Sequence, residues 1–183
     1  VALVDGAKLF DLDTEVTDRV LYKGSIFKAT VSRIEQSLNA AFVDYGSTRH
    51  GFLPLKELSR NFYKKNSQGK SECTLKEGQE ILVQINKEER GTKGATLSTQ
   101  ISIAGRFMVL IANSDKSGGI SRRITGDERE DLKNQISKLD IPEGMSVIIR
   151  TAGIDRSFEE LQNDLNYLIS LWDDINATQA SAD

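Results

Sequence analysis

Three groups of residues in this chain could do chemistry. The first is aromatic and basic. Phe42 in AAFVDYG, Tyr45 beside it and Phe52 in GFLPL stand among the cations Lys28, Arg33, Lys87, Arg90 and Lys93. Exposed aromatics beside cations can stack bases and track the phosphates of a single-stranded nucleic acid, each stacked base being worth roughly 1–3 kcal/mol. Both phenylalanines also neighbour apolar residues, so a plain core role stays open. The second group is Gly118-Gly119-Ile120-Ser121-Arg122-Arg123. A glycine pair lets backbone approach an anion while guanidinium forks grip it; taken alone, a flexible hairpin turn with two solvated cations is the favoured reading. The third is Arg150-Thr151-Ala152-Gly153, at the end of the apolar run Val147-Ile148-Ile149. An arginine fork and a hydroxyl at a stiff strand end suit a phosphate, unless Arg150 is spent on an acid such as Asp155.

Hydrolytic or redox chemistry finds less support. One histidine (His50) and one cysteine (Cys73) cannot build a histidine or cysteine metal cluster or an internal disulfide. The acid pairs Glu88-Glu89 and Asp173-Asp174 are adjacent in sequence, and adjacent side chains on a strand or helix do not face one another. The expectation is a binding module with no catalytic residue and no metal ligand. No apolar run approaches the ~20 residues of a membrane span, and no signal-peptide pattern opens the chain, so a reducing, cytoplasmic setting is expected.

The elements that must position these groups follow from pattern. VALVDGAKLFDLD (1–13) alternates as two short strands around the turn Asp5-Gly6, and 14–22 reads as a polar connector. Strands are expected at 25–34, 40–46, 51–55, 80–89 and 95–105, with Pro54 ending the third because proline cannot donate to a ladder. Leu55, Leu58 and Phe62 predict a helix over 55–65, and 66–79 reads as a polar loop. Five short strands with one helix between the third and fourth is OB-fold wiring. Strand and helix then alternate: a strand at 106–112, a flexible loop at 113–119, a helix at 126–139 and a strand at 145–153. A last helix from Phe158 to about Ala177 is opened by the capping box Ser157/Glu160, with Leu161, Leu165, Leu168 and Trp172 on one core-facing stripe.

The net charge of −3 conceals an asymmetry. Residues 23–100 hold 13 Lys+Arg against 8 Asp+Glu, whereas both flanks are acidic. A polyanion would be met mainly by the middle, although so mild an excess also fits an ordinary solvated surface.

Taken in order, the segments VALVDG (1–6), YKGSIFKATVSRIEQSLNAAFVDYG (22–46), RHGFLPLKE (49–57), EGQEILVQINKEERGTKGA (77–95), ISIAG (101–105), GGISRRI (118–124) and PEGMSVIIRTAG (142–153) resemble the amino-terminal catalytic half of the RNase E/G endoribonucleases. The resemblance implies an α+β chain. Residues 1–22 would be a hairpin from an incomplete RNase H-like subdomain, 23–104 an OB-fold RNA-binding domain of ribosomal-protein type, and 105–183 a small α/β five-prime sensor subdomain. It implies that Phe42, Phe52 and Lys93 clamp single-stranded RNA, with Arg122 and Arg123 as further RNA contacts; Tyr45, Lys87 and Arg90 are expected beside them from the aromatic and basic pattern alone. It implies that Arg150 and Thr151 grip a terminal monophosphate, helped by Gly105 and Val109. The family cuts single-stranded RNA by magnesium-assisted hydrolysis in mRNA decay and in rRNA and tRNA processing. It also carries a zinc site and assembles as homotetramers, and members join degradosome complexes or the inner face of the cell membrane.

The sequence departs from the family pattern at Asp18–Gly24 and Lys64–Thr74. It also stops ahead of the family's metal-binding aspartates and its C-P-x-C zinc motif. The opening at Val1, in mid-hairpin, suggests a piece of a longer chain. Such a piece is expected to bind RNA without cutting it, to need neither magnesium nor zinc itself, and to be a monomer or weak oligomer, with the hairpin unpartnered. A different class of reading, a free-standing non-catalytic OB-fold regulator, would give the same residues the same RNA contacts. The sequence does not separate the E form from the G form.

Overall fold

The computed structural model describes residues 2–6, 8–12, 22–67, 69–114 and 118–181. The expected connector at 14–22 lies almost wholly outside these residues, as do 115–117 of the expected loop. An antiparallel hairpin of β1 (Ala2–Asp5) and β2 (Lys8–Leu12) opens the chain. Gly6 in its turn has φ +57°, the left-handed conformation a tight hairpin turn requires.

Five strands then close into a barrel in the order β3 (Ile26–Glu35), β4 (Ala40–Asp44), β5 (Gly51–Pro54), β9 (Thr96–Ser98), β8 (Glu80–Lys87). Alternation sends Ala29, Val31, Ala41, Val43, Leu53, Ile81, Val83 and Leu97 inward, all buried. The α+β architecture and the OB barrel are as the sequence indicates.

Two local expectations fail for physical reasons. The helix predicted over 55–65 is instead two 3-10 turns, Leu55–Glu57 and Arg60–Phe62, followed by β6 (Tyr63–Lys65). Between the turns, Ser59 is extended, and its N–H donates to Thr99 Oγ1 at 2.7 Å. Leu58 still reaches the core, so the apolar spacing reported burial rather than helix. The polar loop predicted at 66–79 contains β7 (Ser71–Cys73), paired with β6, and the buried Leu75.

The single strand predicted over 95–105 also divides. β9 ends where the Ser98 and Thr99 hydroxyls turn to the Glu57 carbonyl. β10 (Ser102–Ala104) then joins a second sheet, ordered β10, β11 (Met108–Ile111), β13 (Ser146–Ile149), β12 (Gly119–Ile120). Two helices, α1 (Gly126–Ile136) and α2 (Phe158–Ser181), complete this half. The predicted stripe Leu161, Leu165, Leu168 and Trp172 is buried with Met108, Leu110, Val147 and Ile149, each large side chain contributing about 1.5–3 kcal/mol. The capping box forms: Ser157 N donates to Glu160 Oε2 at 3.0 Å, and Glu160 N to Ser157 Oγ at 3.2 Å. The Ser157 amide holds the Glu160 carboxyl below its ordinary range, so this cap is fully charged at neutral pH and weakens only in acid.

One buried side chain joins the halves. Gln84, 4% exposed on β8, donates through Nε2 to the Gly24 and Ser102 carbonyls, and its Oε1 accepts from Ser102 N and Oγ. Ile26 and Leu82 of the barrel pack against the second core.

Candidate nucleic-acid interface

Strand period 2 decides which way the phenylalanines face. Phe42 lies between the buried Ala41 and Val43, and Phe52 between the buried Gly51 and Leu53, so both rings point out of the barrel. Neither belongs to the barrel core. Register then builds a row across the outer surface: Arg33 is paired with Phe42, Phe42 with Phe52, Phe52 with Thr96, and Thr96 with Lys87. The two rings meet edge to face, with centroids 6.1 Å apart. At about 4.8 Å per strand the row spans roughly 19 Å. A cation stands at each end. Arg33 is in register only because a bulge between Val31 and Arg33 turns it outward, and it carries an ion pair to Glu35 at 2.7 Å.

Arg90 and Lys93 sit beside this row, exposed on the turn between β8 and β9, where they exchange backbone hydrogen bonds of 3.1 and 3.0 Å. The turn is fastened from the neighbouring loop: Arg49 Nη1 donates to the Gly91 carbonyl. Gly94 passes so close to the His50 carbonyl that a Cβ there would collide with it, and Phe52 N donates to Ala95 O at 2.8 Å. The segments RHGFLP and GTKGA, forty residues apart, are thereby packed together, which sets Lys93 near Phe52.

Tyr45 lies deeper than the two phenylalanines. It is 9% exposed, sits in the barrel core edge to face with Phe27 at 5.4 Å, and donates its hydroxyl to Glu89 Oε1 at 2.8 Å. Burial pushes its phenol up, and that hydrogen bond holds the Glu89 carboxyl below its ordinary range. With Phe27, Ser47 and Glu89 it lines a pocket at the mouth of the barrel.

The remaining sequence-picked residues gather at one end of the second sheet. β12 and β13 run parallel with Ile120 opposite Ile149, so the residues after each leave at the same end. β11 starts there too, with Met108 opposite Ile149. Arg122 and Arg123, exposed after β12, therefore lie at the same end as Arg150 and Thr151, also exposed, and the Gly105 turn. Gly118 makes this possible, since a Cβ on it would strike the Val147 carbonyl. Arg150 clasps the Gly105 turn twice: its N donates to Phe107 O at 2.8 Å and its Nη1 to Gly105 O at 2.7 Å. Among the described residues no ion pair holds Arg150, so Asp155 does not take it. Gly153 fits against Phe107 where a Cβ would lie 2.7 Å from Ile149 Cγ2. Val109 and Ile148, opposite one another on the face turned away from the core, leave a small apolar surface, with Ile148 38% exposed.

Sequence reasoning missed Asp164. This carboxylate on α2 accepts from Arg106 N at 3.1 Å, Phe107 N at 2.9 Å and Met108 N at 3.1 Å, and so fixes the Gly105–Met108 turn. Its only sequence signal was an acid one position before a core leucine, which nothing distinguished from an ordinary surface acid. Among the described residues no group of three His, Cys, Asp or Glu could hold a metal ion, and no helix is long and apolar enough to cross a membrane.

Comparison with known proteins gives two family matches. Residues 21–100 match the S1 RNA binding domain and residues 102–183 the Ribonuclease E/G family. Ribonuclease E of Haemophilus influenzae is 52% identical over 99% of this chain and 20% of its own length. Ribonuclease E of Escherichia coli K12 is 51% identical over 99% of the chain and 17% of its own length. Ribonuclease G of the same strain is 32% identical over 94% of the chain and 36% of its own length. The chain thus spans about a fifth of the ribonuclease E relatives it matches. The chain thus carries an S1 RNA binding domain followed by a Ribonuclease E/G family domain, the two joined through Gln84.

Proposed function

We propose that this chain binds single-stranded RNA along the outer row of its S1 barrel and recognises a 5′ monophosphate at the end of its second sheet, as the RNA-binding portion of an endoribonuclease. The observation that carries the reading is the row Arg33–Phe42–Phe52–Thr96–Lys87, two outward rings between two cations on a barrel. Bases stack on such rings while the cations follow the phosphates. Phe42, Phe52 and Lys93 make the central contacts, with Lys87 and Arg90 flanking. Arg150, Thr151 and the Gly105 turn receive the terminal phosphate, Val109 lies against the first nucleoside, and Arg122 and Arg123 steady the strand. A monophosphate is small and doubly charged, so one fork, one hydroxyl and a turn can surround it, whereas a triphosphate would crowd them.

In a protein of the relatives' length, this binding would present RNA for magnesium-dependent hydrolysis during mRNA decay and the processing of rRNA and tRNA, in a cytoplasmic homotetramer that also holds zinc and joins degradosome partners. Among the described residues no group of His, Cys, Asp or Glu is placed to hold either metal. Boundaries at residues 23 and 105 separate the two binding regions in this reading.

Fluorescence anisotropy with a short RNA, 5′-monophosphorylated or 5′-hydroxyl, tests it. The monophosphate form is expected to bind about tenfold more tightly, the value of one charge-assisted contact, and Arg150→Ala to erase that difference. Equal binding of both RNAs by the wild type would sink the monophosphate assignment and leave the barrel reading standing. Affinity for either RNA is also expected to fall steeply between 50 and 200 mM salt as phosphate contacts release counterions. A flat response would argue against a strand-tracking surface.

A further inference from the structure

Two more arginines stand beside the Gly105 turn, and neither the monophosphate contacts nor the barrel row uses them. Arg106 lies with its guanidinium carbon 5.1 Å from the centre of the Phe107 ring, and Arg156 with its own 5.5 Å from the same ring. Phe107 stands on a surface turn yet is only 8% exposed, and these two side chains lie against it. Arg106 directly follows Gly105. Arg156 directly follows the turn that begins at Arg150 and Thr151, its N donating back to the Gly153 carbonyl. The pair therefore flanks both segments of the monophosphate cradle.

We propose that Arg106 and Arg156, gathered on Phe107, form a second phosphate subsite that takes the first internucleotide phosphate of an RNA whose 5′ end occupies the Arg150–Thr151 cradle. The proposal rests on the monophosphate reading. A cation drawn to a ring face by the ring's quadrupole keeps N–H donors for an oxygen ligand. The ring also limits the freedom of two otherwise mobile side chains, which lowers the entropy lost when they grip an anion. Arg106 is further fixed at its backbone by Asp164. Two carboxylates lie close by, and each is already bound within the fold. The Asp164 carboxylate is engaged by three amides, and Glu160, at 3.6 Å from Arg156, also serves Ser157 as a cap. Among the described residues, no acid pairs with Arg106. A strand leaving the cradle must carry its next phosphate one nucleotide away, and Arg106 and Arg156 are the flanking cations there.

The test uses 5′-monophosphorylated single-stranded RNA with either an ordinary first linkage or an uncharged methylphosphonate at that linkage alone. The wild-type chain is expected to bind the methylphosphonate RNA about tenfold more weakly. The Arg106→Ala/Arg156→Ala variant should lose the same factor on ordinary RNA and lose nothing further on the methylphosphonate RNA. If exposing Phe107 unfolds the alanine variant, Arg106→Gln/Arg156→Gln keeps the ring covered and serves in its place. Equal weakening of both RNAs by the variant, or no sensitivity of the wild type to the linkage, overturns the subsite. If the wild type prefers a 5′ monophosphate but ignores the first linkage, the subsite alone fails; if it shows no monophosphate preference, the cradle fails with it.

Discussion

Phe52→Ala is expected to weaken binding of a short single-stranded RNA by about tenfold to a hundredfold, the range set by losing one stacked base, while the barrel stays folded. The ring points out between the buried Gly51 and Leu53 and is absent from the barrel core. What truncation removes from the folded protein is the edge-to-face contact with Phe42, worth about 0.5–1.5 kcal/mol. Leu53→Ala, one residue away and fully buried, is the contrast: it opens a core cavity and should cost about 2–5 kcal/mol of stability. The two variants thus separate a surface aromatic from a core one on adjacent residues. Phe42→Ala combined with Phe52→Ala should fall short of additivity, because the rings share an interface. Unchanged affinity in Phe52→Ala, or a melting temperature as depressed as that of Leu53→Ala, would return Phe52 to a structural role and remove the observation that carries the RNA reading.

That contrast also marks how far the sequence could be read. Alternation is a local property, so the strands at 25–34, 40–46, 51–55 and 80–89 and their inward faces were legible, and the barrel closes on them. The outward direction of Phe42 and Phe52 was not, because it depends on which of two alternating sets the closed barrel buries. Resemblance to the family, rather than pattern, favoured the binding role. Where hydroxyl groups redirect the backbone, pattern failed. Ser59 bonded to Thr99 breaks an apolar spacing that looked helical, and Ser98 with Thr99 splits a run that looked like one strand. The depth of Tyr45 was not legible either, because it depends on a hydroxyl bonded to Glu89 across forty-four residues. At the sheet end, the chemistry of Arg150 and Thr151 was visible in RTAG. The convergence of Gly105, Arg106, Phe107 and Arg156 on them was not, since it rests on β11, β12 and β13 meeting in register.

Asp164→Ala is expected to have the larger effect on the second half of the molecule: a loss of about 2–4 kcal/mol of stability together with the discrimination between monophosphorylated and hydroxyl-ended RNA. The alanine removes both oxygens that receive the amides of Arg106, Phe107 and Met108. Water can reach the first of these, but the other two are partly buried and lose an acceptor that nothing nearby replaces. The Gly105 turn, held on its other side by Arg150, would then lose the contact that sets its distance from α2. Gly105→Ala approaches the same point from the other direction, since its Cβ would lie 2.7 Å from Asp164 Oδ2 and 2.9 Å from Leu168 Cδ1. It should displace the carboxylate and likewise abolish discrimination. The chain's single tryptophan, Trp172, is buried in the second core, so its fluorescence in urea follows this half directly. RNA with a 5′ hydroxyl should bind Asp164→Ala nearly as well as the wild type, because the barrel row does not touch the turn. If discrimination survives in a variant whose Trp172 transition has moved to lower urea, the turn is scaffold alone and the phosphate is read by Arg150 and Thr151 without it. If both RNAs lose affinity together, the two binding regions are coupled, and Gln84, which fastens β8 to Ser102, is the contact through which a loosened sheet would reach the barrel.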